Sequence, residues 1–207
     1  DVCSSDLGIA RGHPNVILVK VGTGIGSGII SDGVLHRGSQ GAAGDIGHIQ
    51  IVADTSTVCR CGKVGCLEAL AGGAAIARDA EQLVRMGRSP RLLERFEASG
   101  ALSAEDVSRA AGMGDGAAHD LLLRSGRLVG QTLAALVNFF NPSLIVIGGG
   151  VAHASDQYLA AIREVIYARS LPLATRNLAI QLSPLGGSAG VTGAAAMVLD
   201  QLFSREL

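Results

Sequence analysis

The chain is 207 residues long, enough for one substantial core. Its 17 Lys and Arg against 18 Asp and Glu leave a formal charge of -1, which excludes a global basic footprint for nucleic acid. With 29 glycines, no Trp and 3% aromatic residues, it must rely on close backbone packing and tight turns.

The first seven residues, DVCSSDL, are the translation of a widely used sequencing-adapter tail, GACGTGTGCTCTTCCGATCT, in one forward frame. The expectation is that residues 1–7 are non-native and that Cys3 has no biological role. Native sequence would then begin near Gly8, on a chain truncated at its start. Nothing nearby has the pattern of a secretory signal.

Residues 16–21 (VILVKV) form a short β-branched apolar run, the signature of a buried strand. They lead into a glycine-rich loop at residues 22–28 (GTGIGSG), then Ile29-Ile30, an Asp32-Gly33 turn and Val34-Leu35. This reads as strand, glycine turn, strand, Asp-Gly hairpin, strand. The loop can bring backbone N–H groups near a phosphate. Spacing alone favours a tight hairpin, because GTGIGSG matches neither the dinucleotide pattern nor a P-loop.

Residues 44–68 hold His48, Cys59, Cys61 and Cys66 in the spacing H-x10-C-x-C-x4-C, with Gly47, Gly62 and Gly65 beside them. Cys3His is a common tetrahedral donor set for structural zinc. Glycines permit the left-handed turns that bring sulfurs together. Buried free thiols are the bland alternative, but Arg60 and Lys63 lie among the cysteines and no apolar run surrounds them. A disulfide is the third reading. Reduced, metal-bound cysteines point to the cytoplasm.

Residues 67–86 have helical period, with a kink or close contact expected at Gly72-Gly73. A turn at Ser89-Pro90 precedes a short solvated helix. Ser103, with Glu105 and Asp106 behind it, caps a helix ending near Gly112. Asp115 caps a long helix that stops at Asn141-Pro142. The C-terminal half of that helix is apolar all round and is expected to be central and buried. Its apolar run, residues 128–140, is too short to span a bilayer.

Residues 143–147 (SLIVI) are a second buried strand, ending in Gly148-Gly149-Gly150-Val151, where an open α/β sheet places ligands. A helix at residues 156–169, a strand at 178–182 and an Ala-rich helix from Ser188 to Leu202 follow. The alternation argues for an α/β domain with a mainly parallel sheet. The helical block at about residues 67–114 interrupts it as an insertion. His13, His36, His119 and His153 are isolated and read as surface or loop residues. Arg163 and Arg169 read as a solvated helix face or a subunit contact.

Together these motifs resemble the ROK family of bacterial sugar kinases and sugar-responsive transcriptional repressors. The carrying runs are GTGIGSG (22–28), DGVLHRGSQGAAGDIGH (32–48), CRCGKVGCLE (59–68), NPSLIVIGGGV (141–151) and GSAGVTGAA (187–195). The resemblance implies the actin-like ATPase (ribonuclease-H-like) fold, with residues 8–207 forming mainly its C-terminal, sugar-binding lobe. It implies that His48 both binds zinc and faces a sugar, that Glu68 accepts sugar hydroxyls, and that Asp45 stands where the family has Glu. In a kinase, Gly22, Thr23, Gly24, Gly148, Gly149, Gly150 and Val151 would approach the nucleotide. Carboxylates suit sugar recognition because each accepts several hydroxyl protons in fixed geometry.

Two departures bear on activity. Asp45 is one methylene shorter than Glu, and the Asn-Asp pair carrying a kinase's general base is absent from this chain. No catalytic residue is assigned, and the chain alone is expected to be inactive. Within the resemblance, Asp45 and the run REVIYARSLPLATRNLAI (163–180) favour the effector domain of a NagC-type transcriptional regulator, expected to be truncated before its DNA-binding domain. The alternative is the lobe of a glucokinase-like sugar kinase using ATP and magnesium, and a dimerisation scaffold is a third. The expected partners are a sugar or sugar phosphate, a second copy in a homodimer or larger homo-oligomer, and DNA only through a missing N-terminal domain; no membrane is expected.

Overall fold

The computed structural model describes residues 9–53, 55–186, 190–195 and 198. The expectation for residues 1–7, with Cys3, lies outside the described residues, as do parts of the closing helix at 187–189 and 196–197 and everything after 198.

Strand β1 (Val16–Val21) is buried at every position except Lys20. It pairs antiparallel with β2 (Ile25–Ser31), Val21 opposite Ile25 and Val16 opposite Ile30. The Asp-Gly turn has φ of 51° at Asp32 and 79° at Gly33, a pair of left-handed residues that matches strand twist, and returns the chain into β3 (Val34–Leu35). The glycine loop is shorter than its sequence suggests. Only residues 22–24 turn; Gly26 and Gly28 lie inside β2, opposite Lys20 and Leu18. Ladder hydrogen bonds to β1 outweigh the poor strand preference of glycine there.

Strand β4 (Leu144–Gly148) lies parallel to β1, and β5 (Ala179–Leu182) parallel to β4, giving the order β3-β2-β1-β4-β5. The sheet is thus mixed, correcting the mainly parallel expectation. The hairpins leave β1 too quickly for a crossover helix, so that half must be antiparallel.

The helices are α1 (Leu67–Ala71), α2 (Gly73–Arg85), α3 (Pro90–Ser99), α4 (Ala104–Gly112), α5 (Gly116–Phe140), α6 (Asp156–Arg169) and the single turn α7 (Pro172–Thr175). Gly72 separates α1 from α2 with extended backbone. A capping box at Ser103 and Asp106 opens α4, and the Asp115 side chain accepts the N–H of Ala118 to open α5. Asn141, left-handed at φ 51°, closes α5 one residue before Pro142. Among the described residues, no helix is long and apolar enough to cross a membrane.

One sheet face (Ile17, Val19, Val21, Ile145, Ile147, Ile180) joins the helices in the main core. The opposite face carries a smaller cluster of Ala10, Val16, Leu18, Ile30, Leu144 and Val146. Helix α5 is buried along one side only. Val129, Leu133 and Val137 are fully covered, whereas Phe139 is 87% exposed, so its last turns are not enclosed as the sequence suggested. Arg163 donates through Nε to the Ile180 carbonyl at 3.1 Å, which places it as a clasp between α6 and β5.

Candidate functional site

The cysteine-rich stretch folds as a small knuckle because glycine turns close it on itself. The N–H of Cys59 donates to the carbonyl of Lys63 at 2.7 Å, and that of Gly62 to Cys59 at 2.9 Å. Gly62 and Gly65 have φ of 85° and 70°. At Gly65 a Cβ would fall 1.7 Å from the Val52 carbonyl oxygen, so only glycine fits. The N–H groups of Ile51 and Leu67 donate to Gly65 and Ile49, tying the knuckle to the segment that follows His48.

This folding brings all four expected ligands together. One donor atom from each of His48, Cys59, Cys61 and Cys66 lies within 4.8 Å of the others. His48 Nδ1 is 3.4 Å from Cys59 Sγ, and Cys61 Sγ is 3.7 Å from Cys66 Sγ. Cys59 and Cys66 are buried and Cys61 is exposed. Burial, with the neighbouring thiols of Cys61 and Cys59, pushes the Cys66 thiol up to about 12, whereas the backbone N–H of Lys63 lowers Cys61. A cation among these donors would stabilise several thiolates at once. The donor set and its compactness fit a tetrahedral metal ion.

The knuckle leads directly into α1, whose second residue is Glu68. Its carboxylate is held at both oxygens: Oε2 accepts the N–H of Ile25 at 3.1 Å, and Oε1 pairs with Arg60 Nη2 at 3.0 Å. Burial raises its pKa, but Arg60 and the Ile25 N–H together hold it below the usual Glu range, so it is an anion at neutral pH. Residues 44–48 run alongside. The N–H and hydroxyl of Ser27 both donate to the Gly44 carbonyl, and Gly47 lies so close that a Cβ would fall 2.0 Å from the Ile25 carbonyl oxygen. His48 is half-buried in the short 3-10 turn Ile46–His48. Asp45 precedes that turn, exposed, and its side chain does not cap it.

Two clefts meet at Gly22 and Thr23. The first, about 690 Å³, runs over β2 and is lined by Lys20, Gly24, Ser27, Glu68 and Gly190 among others. The second, about 620 Å³, lies between Thr23, Gly73, Ala74, Glu105, Gly150 and Val151. The wall between them is fixed by α2, where the N–H groups of Gly73 and Ala74 donate to the carbonyls of Gly22 and Thr23 at 2.7 and 3.0 Å. Cβ atoms at Gly72 and Gly73 would fall 3.0 Å from the Thr23 carbonyl oxygen and 2.6 Å from that of Gly22, which explains the glycine pair.

The structure sorts the expected residues. Gly22, Thr23, Gly150 and Val151 share the second cleft, while Gly24 lies with Glu68 in the first. Gly148 and Gly149 line neither. Gly149 packs so tightly that a Cβ would sit 2.3 Å from the Val21 carbonyl oxygen. Asp45 also lines neither cleft. Lys20 lines the first cleft, and Ser103 and Glu105 the second, although no sequence motif singled them out for it. Lys20 carried a visible signal, a lone charge in an apolar strand, whereas Ser103 and Glu105 looked like ordinary capping residues.

A mixed five-stranded sheet with glycine turns leaving β1 and β4, helices packed on it and a His-Cys knuckle leading into the helix that carries Glu68 define one lobe of an actin-like ATPase fold. The chain belongs to the ROK family, whose pattern matches residues 4–201. It is 37% identical over 199 residues to a glucokinase of Halalkalibacterium halodurans, covering 96% of this chain and 60% of that protein. It is 35% identical over 192 residues to the DNA-binding transcriptional dual regulator NagC of Escherichia coli K12, covering 92% and 45%. Among solved structures, a ROK family glucokinase from Streptomyces griseus, in complex with glucose and AMPPNP, superposes with a TM-score of 0.84 at 34% identity, covering 94% of this chain and 63% of that one. The chain therefore spans about half to two thirds of the length of the relatives it matches. Those relatives include both enzymes and regulators.

Proposed function

We propose that this chain is the carbohydrate-binding effector region of a ROK-family transcriptional regulator. The observation that carries the sugar reading is Glu68, an anionic carboxylate fixed at both oxygens on the wall of an open cleft. Hydroxyl groups of a hexose would donate to its remaining lone pairs, and a sugar lacking those hydroxyls would leave buried acceptors unpaired. His48, Cys59, Cys61 and Cys66 would hold a structural zinc ion, which supplies rigidity and leaves the other ring nitrogen of His48 to meet the sugar. Asp45, exposed and short, would close on the ligand from the adjoining loop. A change in the relation of lobes on sugar binding would then alter DNA contacts made by sequence outside these 207 residues, in a homodimer.

A kinase lobe is the second reading, favoured by the cleft at Gly22, Thr23, Gly150 and Val151, which has room for a nucleotide beside the sugar. In that case ATP and magnesium would bind there, and the general base would come from outside this chain. The deciding experiment uses protein expressed from the complete open reading frame. Hexose binding with sugar-dependent operator release and no ADP formation supports the regulator. Hexose-dependent ADP release from MgATP overturns it in favour of the kinase.

A further inference from the structure

Arg60 lies between two of the expected metal ligands, yet its guanidinium turns away from them to Glu68. Its side chain is 78% exposed and that of Glu68 only 15% exposed, so Arg60 reaches the carboxylate from the solvent side. Arg60 is absent from the lining of the cleft that Glu68 faces, so it does not occupy the ligand's space. Without it, Glu68 would keep a single anchor, the Ile25 N–H on Oε2, and Oε1 would be free to rotate about the terminal torsion, which is soft.

We infer that Arg60 is a positioning residue for the sugar site, fixing the plane of the Glu68 carboxylate through Oε1 so that its free lone pairs point at a hexose. The inference rests on the sugar-binding reading above. It makes the knuckle more than a metal holder: the loop between two cysteines also orients the ligand-facing acid. Because Arg60 approaches Glu68 from solvent, salt screens the pair. Binding of an uncharged sugar should therefore acquire a salt dependence that passes through Arg60.

The test is calorimetric titration of D-glucose and N-acetyl-D-glucosamine into wild-type protein and Arg60→Gln, expressed from the complete open reading frame, at low and high salt. Zinc content and thermal midpoint are measured alongside. The expected result is a loss of up to about five-fold in hexose affinity in Arg60→Gln. Wild-type affinity should fall with salt, the variant's should not, and zinc content and midpoint should match wild type. Salt titration of the unaltered protein keeps the test independent of how the variant folds; salt-insensitive hexose binding overturns the assignment. So does unchanged affinity in Arg60→Gln, or a weakening that tracks zinc loss, which would make Arg60 a brace of the knuckle. If wild-type protein binds neither sugar, the sugar-site reading itself falls and Arg60's role with it.

Discussion

The Ile25 N–H donates to Glu68 Oε2 at 3.1 Å, joining the first residue of β2 to the first turn of α1 across 43 positions of sequence. That bond is possible because Gly24 lacks a side chain. A Cβ there would fall 2.0 Å from Oε2 and 2.8 Å from Cδ of Glu68. The obstructing atoms end a flexible side chain, so Gly24→Ala should fold and displace Glu68. Hexose affinity should fall about ten-fold, equivalent to the loss of about one charge-assisted hydrogen bond. Calorimetry on the folded variant checks this, and wild-type affinity would refute it.

Cys61 is the exposed member of the His-Cys cluster, so replacing it leaves no hole in the core. Cys61→Ser should lose zinc and hexose binding together, because a metal ion held there would pin His48 and the start of α1. Elemental analysis and calorimetry on the same preparation measure both. Zinc-free protein that binds hexose like wild type would show the two to be uncoupled.

Helices α5 and α6 approach closely at two glycines. A Cβ at Gly130 would lie 2.9 Å from both the Ile162 carbonyl oxygen and Val165 Cβ, whereas one at Gly126 would lie 3.0 Å from the Tyr158 carbonyl oxygen and 3.2 Å from Ala161 Cβ. Alanine gains about 1 kcal/mol of helix preference over glycine, while overpacking costs about 1–3 kcal/mol. Gly130→Ala should destabilise by up to about 2 kcal/mol, the net of those effects, and Gly126→Ala by less. Urea unfolding ranks them; a more stable Gly130→Ala would show that the helices separate freely.

Asp106 is buried, which raises its pKa, yet bonds from the Ser103 hydroxyl and N–H and the pair with Arg95 at 2.7 Å hold it below the usual Asp range. Its folded pKa is lower than its unfolded one, so the stabilisation is present above about pH 4 and fades as pH falls through the folded value. Asp106→Asn should cost about 1–2 kcal/mol at neutral pH, the usual worth of a lost cap and charged hydrogen bond. The difference from wild type should shrink below about pH 4. Thermal unfolding at neutral and acid pH measures it; a cost that stays constant into acid would refute the assignment.

Local chemistry made much of this molecule legible in advance. The run VILVKV, the Asp-Gly turn, the caps at Ser103 and Asp115 and the stop at Asn141 each became the element their residues specify. So did the knuckle, because cysteine and histidine spacing with glycine turns is itself a short-range constraint. Errors arose where partners lie far away. Gly26 and Gly28 read as loop but are strand, since β1 supplies their pairing. The end of α5 read as enclosed, but Phe139 is left exposed.

Most elements, the four-residue donor set and the family motifs were legible in the chain alone, because each rests on residues close in sequence. Which residues share a cleft was not. Gly24 meets Glu68, Gly22 meets Gly73, and Arg60 reaches past its own knuckle to a carboxylate eight residues on. Those meetings depend on how α1 and α2 dock against the end of β1, and docking is set by packing of the whole core, which no local pattern carries.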